Sequence, residues 1–164
     1  MAIDKNEFRR VMGLFATGVT IVTTRSGDRL HGLTANAFCS VSLDPPLVLV
    51  CVDHRANSYG LIKESGVFAV NILADDQRPL SDFFASKETE NLNRFENVKC
   101  RTAVTSAPII DGCLGYADCR VVAAHEAGDH TIYVGQVEEL AMGREARPLI
   151  FHRGRYTGLD HQGG

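Results

Sequence analysis

Two long β-type segments, Leu114 to Ala127 and Thr131 to Met142, meet across Gly128-Asp129-His130. That pairing constrains the fold more than any other feature, because long alternating segments joined by a tight turn form an antiparallel hairpin. Further strand-type stretches run from Val19 to Thr24, Leu30 to Leu43, Leu47 to Val52 and Val67 to Leu73, and a last short pair flanks Arg153-Gly154. Turn signals at Ser26-Gly27-Asp28 and Asp44-Pro45-Pro46 punctuate the early stretches and predict a small antiparallel meander. Helical spacing is confined to three places. Ile3, Phe8, Val11, Met12 and Phe15 recur on one face, with Asp4 and Glu7 as a capping pair and Gly18 as the stop; Asn57 to Glu64 and Pro79 to Phe95 supply the others. The strand-helix alternation of βαβ units is missing, so the expected class is mainly β with flanking helices, a closed or split barrel and not a doubly wound sheet.

The chain has 164 residues, of which 45% are hydrophobic, enough for the core of one domain of ordinary size. Residues 1–160 read as that single domain and 161–164 as a disordered tail. A formal charge of −3, with no basic run longer than Arg9-Arg10, offers no footprint for nucleic acid. The longest apolar runs are strand-sized, so no membrane span is expected. The polar opening Asp4-Lys5-Asn6-Glu7 gives no secretory signal, and a cytoplasmic setting follows. The five cysteines (Cys39, Cys51, Cys100, Cys113, Cys119) contain no C-x-x-C pair; small buried hydrophobes are the expected role, and no metal site is expected.

Gly32 to Ser42 crowds small and hydroxyl residues into a strand that ordinarily carries bulky β-branched ones, which signals close approach to the backbone. Ala35 and Ala37 leave peptide groups open to a flat polar ring, and Thr34, Ser40 and Ser42 offer hydroxyls to a polyol or phosphate. Taken alone, the stretch also reads as an edge strand satisfied by water. Asp53-His54-Arg55-Ala56-Asn57-Ser58 spans the end of a strand and the start of a helix, where free N–H groups receive an anion or merely accept a cap. No Gly-rich phosphate loop exists in the chain, so any nucleotide is held another way. No Ser/His/Asp or paired-carboxylate set stands out, and His125 and His130 point to no shared metal.

Phe15 to Thr24, Gly32 to Ser42 with Pro45-Pro46 behind it, Asn71-Ile72-Leu73, Arg94-Phe95 and Gly128-Asp129-His130-Thr131 occur in an order that resembles the short-chain flavin reductases, the small components of two-component flavin-dependent monooxygenases. The resemblance spans about residues 8 to 159. It implies an FMN-binding split β-barrel of Greek-key type, usually a homodimer, in which NADH or NADPH reduces FMN or FAD for a partner oxygenase. It implies further that Thr34, Ala35, Asn36 and Ala37 face the flavin ring and that Ser40, Val41 and Ser42 face the ribityl chain or phosphate. Cys51 and Asp53 join the same binding set, and Asn57 and Ser58 fall in the phosphate loop. Phe84, Arg94 and Phe95 would border the flavin edge or the adenine of FAD, Tyr156 would touch the flavin, and His130 would stand near the nicotinamide. The segment 97–107 is shorter than in many relatives. Such chemistry needs no protein nucleophile, because the flavin itself accepts hydride once the nicotinamide is held against it. Two other readings share the barrel: a non-catalytic FMN-binding module, and an oxidase of the pyridoxamine-phosphate type, which would need a basic cluster beyond Arg153 and Arg155.

Overall fold

A computed structural model describes residues 2–159. The expected tail at 161–164 lies outside the described residues. Helix α1 (Lys5–Met12) begins at Asp4, whose carboxylate accepts from the Asn6 and Glu7 N–H groups at 3.0 and 2.9 Å. It stops at Gly13 and not at Gly18, because Leu14 and Phe15 donate to Val11 and Met12 in a tightened last turn. Strands β1 (Thr17–Gly18), β2 (Thr20–Ser26), β3 (Arg29–Ala35), β4 (Phe38–Leu43) and β5 (Pro46–Asp53) follow. Then come α2 (Asn57–Ser65), β6 (Val67–Ile72), a 3-10 turn (Asp75–Gln77) and α3 (Arg78–Ala85). The chain closes with β7 (Cys100–Thr102), β8 (Pro108–Ile110), β9 (Gly115–Ala127), β10 (His130–Met142), β11 (Ile150–His152) and β12 (Arg155–Thr157).

Seven strands form one antiparallel sheet in the order β3-β2-β6-β9-β10-β5-β4. The expected single strand from Leu30 to Leu43 is therefore two strands, and the expected meander does not exist: β3 and β4 lie at opposite edges. Only Asn36 and Ala37 join them. Seven strands laid flat would span about 29 Å, at roughly 4.8 Å per step. Three peptide units reach about 11 Å. The sheet must curl until its edges meet, and the result is a barrel split between β3 and β4. Val22, Val50, Val52, Ile62, Phe68 and Val70 fill its interior.

A second cluster packs α3 and the following segment onto the outside of β2 and β3 through Ile21, Leu73, Phe84, Phe95 and Leu149. The helix expected from Pro79 to Phe95 ends at Ala85. Past it Ser86 is extended, and the Thr89 hydroxyl takes the Phe83 carbonyl at 2.6 Å, which a continuing helix would have needed. The pair β7–β8 was not expected; its Ile109 and Ile110 are buried. Of the cysteines, Cys113 and Cys119 are buried, as a small hydrophobe should be, but Cys39 and Cys100 are exposed and Cys51 is half-buried. No described helix is long and apolar enough to cross a membrane.

Candidate functional site

Where the barrel splits, three elements converge: β3, the start of α2, and the turn-rich segment 86–94 that follows α3. They enclose a cavity of about 390 Å³ whose lining includes His31, Thr34, Asp53, Phe84, Glu90 and Arg94. Position 32 must be glycine for this packing, since a Cβ there would lie 2.7 Å from the Phe84 ring. Close approach along Gly32 to Ser42 was expected to come from a ligand; at Gly32 it comes from Phe84.

Segment 86–94 is held by one buried side chain. Arg94, 5% exposed, donates from Nη1 to Gly32 O at 2.9 Å and Phe84 O at 3.1 Å, from Nη2 to Ser86 O at 2.6 Å, and from Nε to Thr89 O at 3.1 Å. Four of its five N–H donors are committed to backbone carbonyls. Arg94 thus builds the wall of the cavity that it also lines. Phe95 is likewise a core residue, 5.4 Å from Phe84 between ring centroids, and is absent from the cavity lining.

The N-terminus of α2 faces the cavity without a side-chain cap, because Ala56 occupies the capping position. The Asn57 N–H meets Glu90 Oε1 at 3.4 Å. Ser58 is fully buried and its hydroxyl is bonded to His31 Nδ1, so the side chain expected to hold phosphate turns inward instead; only its place in the first turn of α2 suits that role. His31 Nε2 is buried with no partner. Burial, then the Arg94 charge, lower the His31 pKa from its ordinary value.

On the opposite side the cavity is lined by Asp53 and Arg55, next to the hairpin tip, whose His130 is outside the lining. Asp53 on β5 stands across from His130 on β10. Arg55 grips the Asp53 carboxylate through Nε and Nη2 at 3.1 and 2.7 Å and through its own N–H at 2.8 Å, which holds that carboxyl well below the usual carboxylate range. His130 Nδ1 pairs with Asp129 at 2.7 Å, and its side chain is 40% exposed. His54 Nε2 bonds Thr131 Oγ1 at 2.9 Å, with its ring 4.8 Å from Tyr59.

Of the remaining expected residues, Thr34 lines this cavity and the others sit around the split. Thr34 donates to Ser81 O at 2.6 Å, and the Ala35 carbonyl accepts from Thr20 Oγ1 at 2.7 Å. Asn36 and Ala37 are exposed at the β3–β4 corner, and Asn36 lines a separate cavity of about 210 Å³ with Thr20 and Phe38. On β4, Ser40 and Val41 are exposed and Ser42 half-buried; the register slips one residue between Ser40 and Ser42, so the two serines do not share a face by simple alternation. Cys51 is half-buried on β5. Tyr156 lies away from the His31 cavity, its hydroxyl 2.8 Å from Ser81 Oγ and its ring 5.2 Å under the Arg78 guanidinium. His31, His54 and Glu90 were not anticipated. His31 was visible as a lone imidazole in register with Leu33 and Ala35; Glu90 carried no signal, because a turn-rich segment has no period.

These parts fit a flavin nucleotide: an exposed backbone corner of small residues at the end of β3, and, in the cavity along the same strand, an uncapped helix start for an anion with a buried imidazole nitrogen beside it. Residues 12–160 match the family model described as Flavin reductase like domain. The chain belongs to that family. Among its relatives, an NADH-dependent flavin reductase of a Rhodococcus species is 46% identical over 155 residues, covering 93% of this chain and 85% of that protein. The reductase subunit HsaB of a flavin-dependent monooxygenase from Mycobacterium tuberculosis is 41% identical over 160 residues, covering 96% and 84%. The structure is similar to that of the NADH:FAD oxidoreductase SgcE6 of Streptomyces globisporus in complex with NAD and FAD fragments, with a TM-score of 0.91, 34% identity, and 98% and 96% of the two chains covered.

Proposed function

We propose that this flavin reductase-family chain is an NADH-dependent flavin reductase, which reduces FMN or FAD and supplies it to a separate flavin-dependent monooxygenase. The observation that carries the reading is the cavity beside the split: the edge strand β3, the end of β5 and an uncapped helix start meet around it, in a chain whose family and named relatives are flavin reductases. When bound, the flavin ring supplies the hydride-accepting chemistry. The protein's part is binding and orientation. The exposed corner Asn36-Ala37 and the edge strand with Ser40, Val41 and Ser42 offer backbone and hydroxyl groups to the ring and polyol chain, and the first turn of α2 receives the phosphate through the N–H groups of Asn57 and Ser58. His130, half-exposed on the hairpin tip and tied to Asp129, orients the nicotinamide donor by hydrogen bonding and is not needed as an acid or base. Solvent supplies the proton.

A homodimer belongs to the same reading. Phe8, Val11, Met12 and Phe15 are all more than half exposed, and no residue of α1 is buried, so the helix presents an apolar face that a second copy would cover. The donor and the receiving oxygenase set the reaction in the cytoplasm.

The test mixes purified protein with excess FMN or FAD and NADH, NADPH in parallel, and follows the nicotinamide absorbance. Sustained turnover with NADH is expected. Flavin binding without accelerated nicotinamide oxidation would leave a binding module in place of an enzyme.

A further inference from the structure

Segment 86–94 places one acidic side chain among groups that suit an anion. Glu90 is half-buried in the cavity lining, and its Oε1 accepts from the Asn57 N–H at the open start of α2. The same carboxylate lies within electrostatic reach of His31 and Arg94, and its charge acts to raise the pKa of both. It does not sit there by chance of a loose loop. The backbone on either side is pinned, since Arg94 bonds the Ser86 and Thr89 carbonyls with the guanidinium that also grips β3 at Gly32. His31 Nε2, buried and unpartnered, borders the same space. The Glu90 carboxylate thus closes a helix N-terminus in a cavity that His31 and Arg94 also line, and that anion is part of the protein.

We propose that Glu90 is a specificity-determining residue of the flavin site, an internal carboxylate that holds the start of α2 until the phosphate of a flavin nucleotide displaces it. The proposal rests on the reading that places the phosphate at Asn57 and Ser58. A phosphate monoester brings about −1.5 to −2 of charge and three acceptor oxygens, so it competes well against one carboxylate. Glu90 therefore weakens binding of FMN and FAD, and leaves riboflavin, which has no phosphate, unaffected. A site that resists its own nucleotide releases it sooner, which suits a reductase whose product leaves for another enzyme.

The experiment titrates full-length wild type, Glu90→Gln and Glu90→Ala with FMN and with riboflavin, following flavin fluorescence, and measures FMN release by stopped flow. The Gln variant keeps the shape of the side chain should the Ala variant fold poorly. FMN should bind roughly twofold to tenfold more tightly to both variants, the range of a charge acting at a helix terminus, and should leave correspondingly more slowly. Riboflavin affinity should stay within about twofold, because neutral contacts to the ring are untouched. Equal changes for both flavins, or weaker FMN binding, would overturn the role of Glu90 while keeping the phosphate at α2. Glu90→Gln binding FMN and riboflavin equally well at low and high salt would instead remove the phosphate from α2, and the proposal with it.

Discussion

The two walls of the cavity are stiffened by opposite means. On one side the ends of β5 and β10 are tied by a regular ladder, with Val52 opposite Thr131 and Asp53 opposite His130, and the Asp53–Arg55 ion pair and the Asp129–His130 hydrogen bond decorate an already rigid tip. On the other side, segment 86–94 forms no strand pairing, and four carbonyls in and around it converge on Arg94. The sheet wall distributes its support over many backbone bonds. The flap wall concentrates it in one side chain. Loss of a side chain should therefore damage function first on the sheet wall and stability first on the flap wall.

Arg94→Ala is the strongest way to break that contrast. Hydrogen bonds to a charged donor are worth about 1.5–3 kcal/mol each, and this change strands several carbonyls at once, so a loss of about 3 kcal/mol or more is expected in chemical denaturation. Amide exchange should rise across 86–94 and stay unchanged in β5 and β10. A loss under about 1 kcal/mol would mean that the flap is held by packing alone.

His130→Ala probes the other wall. Its exposed side chain contributes little to the fold, and stability should change by no more than about 0.5 kcal/mol. Nicotinamide kinetics should suffer by the worth of one or two hydrogen bonds, about 1–3 kcal/mol in kcat/KM, with flavin affinity nearly unchanged. Intact nicotinamide kinetics, or loss of flavin binding instead, would remove the role given to His130.

The smallest expected effect is a pH dependence at His31, between the walls. Burial lowers its pKa in the fold below the ordinary 6.5, while the unfolded chain keeps that value. Its contribution is present in full above about pH 6.5 and is lost as the pH falls through the folded value. Denaturation midpoints should drop from pH 7.5 to 5, and His31→Asn should flatten that drop. An equal drop in the variant would assign the pH dependence to other groups.

Much of the fold was legible because its signals are local. Helix α2 was read within a residue of its observed bounds, since Gly66 in the left-handed conformation, φ 68°, ends it where the periodicity stops. The β9–β10 hairpin was read from alternation and a turn over Gly128-Asp129-His130; Gly128 takes φ 66°, and the turn is one residue shorter because His130 already pairs with Asp53 and Ala127 as the first residue of β10. The end of α3 was missed because residues 86–95 have acceptable helix propensity, and only the distant Gly32 carbonyl and the buried Arg94 make the turn-rich path better. Ser58 was assigned outward from its place at a helix start, and nothing in its neighbours announced His31, 27 residues earlier in the chain.

Composition and periodicity by themselves determined the mainly β class, the three helical stretches, the hairpin tip that carries His130, and the run of small residues from Gly32 to Ser42, since each depends on neighbours within a few residues. Only the tertiary structure decided that β3 and β4 close the two edges of one sheet, that Arg94 and Phe95 support the wall while Glu90 and His31 face the cavity, and that Tyr156 belongs elsewhere. Strand order and the partner of a buried donor are set by residues tens of positions apart, where the free energy of burial and of satisfied hydrogen bonds overrides local preference.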